Sequence, residues 1–312
     1  MQKTKSLSII YLFVIYQFFF LIKSPILASN ACVDALTLCF KKVIPSLLPF
    51  LIITELMVSL NIHNILGHSI GKPLSKILKI SPSSSIAFLC GLLFGFPLGT
   101  KFSVSLYEKN IISKEEASNL ICFCSNTGPG FIISVIGCSL GNKNIAVCIY
   151  LCQVISALII AFILPKKTKI NNIKQTFSIP NFTVNSFTSA ITSSVIPMLN
   201  ICIFVIFFSV ISSSIENILS YINFNTYINT FISGFLELTN GINNLSYLPL
   251  NTKTVFLSAF FVGWSGISVI LQSISIFSKH ALDTKKFIIS KFSQGIICAL
   301  LCVILCKFFK LY

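Results

Sequence analysis

The sequence predicts an all-α polytopic membrane protein of two homologous halves, arranged as inverted repeats, with Gly/Pro-broken or re-entrant helices. Three observations predict it. The 312 residues are 54% hydrophobic and only 10% charged, with a mean hydropathy of +0.89, whereas a soluble domain carries about 25% charged residues. Apolar runs long enough for spans of about 20 residues recur along the whole chain. Finally, the two halves interrupt their apolar runs alike. The first half has Val43-Ile44-Pro45-Ser46-Leu47-Leu48-Pro49, Gly95-Phe96-Pro97-Leu98-Gly99 and Asn126-Thr127-Gly128-Pro129-Gly130. The second has Val195-Ile196-Pro197-Met198-Leu199, Leu238-Thr239-Asn240-Gly241 and Gly263-Trp264-Ser265-Gly266. Paired breaks in the two halves of a membrane chain point to a transporter's binding site.

Residues 1–30 form the first unit. Its apolar run, 7–22, follows Lys3 and Lys5 and reads as an uncleaved signal anchor with its N-terminus inside. Cleavage near Ala28 is disfavoured because Ile26 stands where a small residue belongs. The first repeat covers 31–165, with apolar segments at 31–60, 84–100, 117–140 and 145–164. A basic linker, 166–185, carries Lys166, Lys167, Lys169 and Lys174. The second repeat covers 186–312, with segments at 186–214, 226–248, 254–277 and 287–309.

Charge constrains topology. The net charge of +15 comes from 23 basic residues against 8 acidic ones, and every basic residue is lysine. These lysines sit between apolar segments, where the positive-inside tendency places them, which argues against a nucleic-acid partner. Were every segment to cross, Lys72, Lys76 and Lys79 would face the opposite side from the linker lysines. If 84–100 and its counterpart around 238–241 dip in and return, the lysine groups at 3–5, 72–79, 101–114, 166–174 and 279–291 all become cytoplasmic. Each half then crosses an odd number of times, and the second is inverted relative to the first.

Backbone groups freed by a break inside lipid are tolerated only where protein buries them or a water-filled cavity meets them. Helix N-termini at such breaks offer N–H donors to anions. Gly95, Pro97 and Gly99, with Asn126, Thr127 and Gly128, are therefore candidate substrate-binding residues; Gly91, Gly95 and Gly99 also make a face for close helix approach. Lys101, just past the first break, suits a carboxylate or phosphate, or snorkels to the interface. Buried acids are functional candidates by default. Glu55 and, more strongly, Glu237 beside Thr239, Asn240 and Gly241 offer a coupling site for a proton or cation, or a partner for a lysine. Trp264 and Ser265 complete the list with Gln272; the indole either stacks on a ligand or anchors at the interface. Pro45 and Pro197 either kink their helices or open a site. Glu108, Glu115 and Glu116 read as solvated, with Ser113 as a helix cap.

Twelve cysteines, mostly in apolar stretches, read as small buried hydrophobes rather than disulfides or metal ligands. Cys298, Cys302 and Cys306 share one face of the last helix, and His63, His68 and His280 are remote from the cysteines in sequence. No P-loop, Gly-x-Ser-x-Gly, His-Glu-x-x-His or nucleotide fingerprint occurs, so the sequence supplies no grounds for ATP-driven transport, catalysis or a cofactor.

Taken jointly, several motifs resemble the sporulation integral membrane proteins of the YlbJ type, within the nucleoside-recognition or Gate domain superfamily. They are Pro45-Ser46-Leu47-Leu48-Pro49-Phe50 with Glu55-Leu56; Gly95-Phe96-Pro97-Leu98-Gly99-Thr100-Lys101; Leu106-Tyr107-Glu108 with Ser113-Lys114-Glu115-Glu116-Ala117; Ser125-Asn126-Thr127-Gly128-Pro129; Leu236-Glu237-Leu238-Thr239-Asn240-Gly241; and Gly263-Trp264-Ser265-Gly266-Ile267-Ser268-Val269. The resemblance implies a spore-forming bacterium and a bilayer-embedded transporter of a small anionic solute, dipicolinate, located in the forespore outer membrane. Two alternatives stand beside it: a Gate-domain transporter of nucleosides or another small polar solute, and a non-transporting scaffold for spore envelope assembly. A scaffold has no need of matched polar breaks and buried acids.

Overall fold

The structure is a computed structural model that describes residues 2–60, 71–165, 184–220 and 225–312. His63, His68 and the lysines of the basic linker lie outside the described residues, as do the side chains of Lys3 and Lys5. Among the described residues all regular elements are helical.

Helices α1 (Gln2–Lys23) and α2 (Pro25–Leu38) meet at Ser24, where Pro25 starts the new helix. A π turn, Cys39–Val43, carries α2 straight into α3 (Ile44–Ser59). Pro45 and Pro49 therefore open no gap here; the widened turn lies just before them, where a missing proline N–H must be accommodated. Pro197 likewise lies inside a continuous helix, α10 below.

The short α4 (Lys72–Leu78) bends by 97° into α5 (Pro82–Phe94). The chain reverses at Gly95-Phe96-Pro97 and returns as α6 (Leu98–Glu108). At 1.5 Å per residue neither arm reaches across a hydrocarbon core of about 30 Å. The region assigned to 84–100 is thus a two-armed hairpin running from 82 to 108. Helix α7 (Lys114–Cys124) is capped by the Ser113 hydroxyl, which accepts from Glu116 N. Glu116 is not solvated as its charged neighbours suggest: its Oε1 accepts from Ser81 N at 2.8 Å and from Ser84 Oγ at 2.6 Å, tying α7 to the start of α5.

After a break at 125–128 the helix resumes as α8 (129–139), which contains a π turn at Ile132–Ile136. Then come the unbroken α9 (Lys143–Ile163) and the long α10 (Val184–Ser220). A second hairpin, α11 (Thr226–Leu236) and α12 (Leu238–Leu245), turns at Glu237. Helix α13 (Thr252–Trp264) breaks at Ser265 and continues as α14 (Gly266–Phe277), and α15 (Thr284–Phe308) ends the series. The order of hairpin, broken helix and unbroken helix thus occurs twice.

Six helical runs among the described residues are long and apolar enough to cross a membrane, or seven if α4 and α5 form one span. The two broken runs, α7–α8 and α13–α14, are 78% buried, against 22–56% for the others. The polar breaks consequently sit at the centre of the bundle, with the unbroken helices between them and the lipid. Helix α10 packs on α2 and α3 and α15 on α9 and α13, while Tyr16 and Gln17 bind α1 to Ser214 of α10.

Candidate functional site

Each hairpin tip rests directly on a helix break. Gly95 has φ +82°, and a Cβ there would lie 2.8 Å from the backbone nitrogen of Gly128. Only glycine suits both the conformation and the approach. The Phe96–Pro97 peptide at this tip is cis. In the second half, Gly266 has φ +80°, and a Cβ there would meet Leu238 N at 2.9 Å and Leu236 O at 3.2 Å.

The break at 125–128 is satisfied by side chains from distant helices. Gln153 on α9 accepts from Thr127 N at 3.0 Å and donates to Thr127 O at 2.8 Å, replacing both lost backbone partners. On α15, Lys291 Nζ donates to Ser125 O at 2.7 Å and to Gln294 Oε1 at 2.8 Å, while Gln294 Nε2 donates to Asn126 Oδ1 at 2.8 Å. Thr127 Oγ1 reaches Val262 O at 3.3 Å, and the Ser125 and Ser273 hydroxyls are 3.4 Å apart. The first-half break is therefore held jointly by α9 of its own half and by α13, α14 and α15 of the second.

Lys291 belongs to the lysine group assigned to the cytoplasmic side, yet it is only 1% exposed. Lysine in a buried apolar setting loses its hydration, so acceptors must replace the water. Gln153, Lys291 and Gln294 hold the break, and the motif reading passes over them. The signal was present, since a polar or ionisable residue inside an apolar helix marks function.

Between the two hairpin–break pairs lies a small cavity of about 20 Å³, room for about one water molecule. At that size it holds no solute larger than water, so the site is closed here. Gly95, Phe96, Thr127 and Gly128 line it from the first half, with Val43 and Leu47. Glu237, Leu238, Thr239, Val269 and Gln272 line it from the second, with Ile201 and Val205 of α10. The Glu237 carboxylate is buried and accepts from Asn240 N at 2.7 Å and Thr239 Oγ1 at 3.1 Å, capping α12. Gln272 Oε1 is buried with no hydrogen-bond partner. An unpaired buried amide oxygen costs about 1–3 kcal/mol, and here it lies in the cavity wall, where a ligand donor can relieve that cost.

Of the residues picked out by sequence, Gly95, Thr127, Gly128, Glu237, Thr239 and Gln272 meet at this cavity. The others lie elsewhere. Pro97 starts α6 behind the tip. A Cβ on Gly99 would lie 2.1 Å from Cys124 O, so Gly99 serves helix packing, and Gly241 packs on Gly234 in the same way. Asn126 is absorbed by Gln294 and Phe123 O. Asn240 donates to Ser209 Oγ, and Ser265 donates to Val262 O. Trp264 neither stacks on open space nor reaches an interface: its indole N–H donates to Phe235 O at 2.9 Å and its ring stacks on Phe235 at 4.9 Å. Lys101 points away, half exposed, and pairs with Glu55 at 2.5 Å.

No family model matches the chain. It is similar to the sporulation integral membrane protein YlbJ of Bacillus subtilis (strain 168), 24% identical over 92% of this chain and 79% of that protein. Among solved structures it resembles CNTnw in an inward-facing substrate-bound state, with a TM-score of 0.61 and 12% identity over 98% of this chain and 84% of that one. A variant of CNTnw in an intermediate 3 state gives 0.55, with 14% identity over 98% and 85%. The chain is an integral membrane protein, and it shares the CNTnw fold.

Proposed function

We propose that this protein is a membrane transporter of a small solute and that the cavity between the two hairpin–break pairs is its substrate site. The single observation that carries the reading is the convergence there of Gly95, Thr127 and Gly128 from one half with Glu237, Thr239 and Gln272 from the other. A site shared by two bodies opens to either side as one body moves against the other. Its closed state suits one step of such a cycle. The two series of hairpin, broken helix and unbroken helix are read as inverted repeats, each supplying one wall.

The substrate to which the sporulation resemblance points is dipicolinate, moved across the forespore outer membrane. Positive charge for a dianion comes from Lys291, immediately behind the 125–128 break. Because that ammonium already sits on a freed carbonyl, Lys291 also serves as a built-in cation at the break, and Glu237 is the acid through which proton or cation coupling runs.

A second reading is favoured by one observation: the ionisable group lining the cavity is Glu237, and no lysine lines it. That lining suits a neutral polar solute such as a nucleoside. Purified protein in liposomes decides between them. Uptake of labelled dipicolinate, reduced at least tenfold by Gln272→Leu, supports the first reading. Uridine uptake with the same sensitivity supports the second. Uptake of neither, together with normal dipicolinate in spores of a strain lacking the protein, leaves the scaffold.

A further inference from the structure

Four thiols from two helices converge outside the substrate site. Cys148 and Cys152 stand four apart on α9, and Cys302 and Cys306 stand four apart on α15, so each pair shares a helix face. Helix α9 packs along α15, which brings the faces together. The sulfurs of Cys148, Cys152 and Cys302 all lie within 4.8 Å of one another. Cys306 Sγ is 3.7 Å from Cys302 Sγ. All four are buried and free.

Packing alone requires volume at these positions, which alanine or valine supplies without drawing three sulfurs together and setting a fourth beside one of them. A tetrahedral ion with metal–sulfur bonds of about 2.3 Å has sulfur–sulfur edges of about 3.8 Å. The Cys302–Cys306 separation already matches that edge, and the Cys148, Cys152 and Cys302 sulfurs lie within 4.8 Å of one another. We propose that Cys148, Cys152, Cys302 and Cys306 bind one thiophilic d10 cation, zinc(II) by its tetrahedral preference, with copper(I) sharing the chemistry. Four protein ligands leave no open position, so the site is a structural staple between the last helices of the two halves.

The balance is simple. Four thiols release four protons as four metal–sulfur bonds form, and the centre keeps a charge of −2 with a divalent ion. That charge lies near the ends of the helices, since Cys148 follows Lys143 at the start of α9 by about a turn and a half, and Cys306 adjoins Lys307 at the end of α15. The lysines provide counter-charge, and the nearby helix ends give the released protons a short route to water.

The test uses the whole protein, purified in detergent under reducing conditions and stripped with a chelator. Native mass spectrometry of the unaltered chain after zinc addition should show one added zinc, less the two protons that a divalent ion replaces at a given charge state. Cadmium titration should show thiolate-to-metal charge-transfer absorption saturating at one ion per chain. The double variant Cys148→Ala/Cys302→Ala, checked for monodispersity by gel filtration, should lose affinity at least tenfold. The control Cys90→Ala/Cys122→Ala, which alters buried cysteines outside the cluster, should not. Copper(I) binding with the same variant pattern keeps the site and changes the ion. A chain that takes up no metal in the mass spectrum, or binding equally weakened by the control pair, overturns the proposal and leaves the thiols as packing.

Discussion

The two hairpins share one construction and differ in what they bring to the cavity. In each, glycines let the arms touch: a Cβ on Gly99 would lie 2.8 Å from Gly91 Cα, and one on Gly241 only 2.2 Å from Gly234 Cα. Each tip also rests on the break of the next helix. The first tip, however, presents bare backbone and the Phe96 ring, whereas the second presents the Glu237 carboxylate beside Thr239 and near Gln272. The two hairpins are built alike at their glycines, and the acidic group stands at one tip alone. Close backbone packing is therefore a demand common to both halves, while the charge chemistry belongs to the second.

The largest effect should come from attacking what the halves share. In Gly99→Val or Gly241→Val the new side chain meets backbone at about 2 Å, where neither partner can yield, at Cys124 O in one case and Gly234 Cα in the other. Overpacking of this kind costs about 3 kcal/mol or more. Both variants should lose the monodisperse peak in detergent gel filtration. If one hairpin tolerates its valine and the other does not, the common construction is wrong.

Next in size is the polar clamp on the first-half break. Lys291→Met leaves Ser125 O and Gln294 Oε1 without their donor, at about 1–3 kcal/mol for each unpaired group. The melting temperature should fall by several degrees, and transport in liposomes should be lost. An unchanged melting temperature would mean that the break does not depend on α15.

The breaks themselves were legible, because glycine clustered with proline or with Ser, Asn and Thr interrupts an apolar helix. Helix α5 stops at Phe94 before Gly95, α7 at Cys124 before Ser125-Asn126-Thr127-Gly128, and α13 at Trp264 before Ser265. Pro45 and Pro197 carry the same letter without the same result, since a single proline in a long helix is accommodated by local widening or a kink. The partners of the breaks were not legible. Gln153 lies 26 residues from Thr127, and Lys291 lies 166 from Ser125, so only folding reveals the pairs. Lys291 stands among the topology lysines by position, yet its side chain is buried at the break. Trp264 shows the same limit: its neighbours Gly263, Ser265 and Gly266 mark a break, but Phe235 and Phe292 had already claimed the ring.

The difference between the tips is sharpened by Glu237→Gln. The amide oxygen can still accept from Asn240 N, so the cap of α12 survives at a cost of about 1 kcal/mol or less. What disappears is the charge. Uptake in liposomes should fall at least tenfold while the yield of folded protein stays within twofold. Phe96→Leu, its counterpart at the first tip, keeps an apolar wall and should reduce uptake by less than threefold. Equal losses from the two substitutions would erase the asymmetry between the hairpins.

The smallest effect is expected where sequence position promised a large one. Lys101 lies two residues beyond Gly99 and invites assignment to an anion site. Its ammonium instead pairs with Glu55, and the lysine side chain is 48% exposed. Water competes for such a pair, which is worth about 0–1 kcal/mol. Lys101→Ala should therefore change the melting temperature by a degree or two and uptake by less than twofold, and Glu55→Gln should do the same. The double variant should add nothing, because each single change already removes the one interaction. Uptake falling tenfold in Lys101→Ala alone would show that the lysine leaves Glu55 for the substrate when the cavity opens, and positive charge would then reach the site from the first half as well.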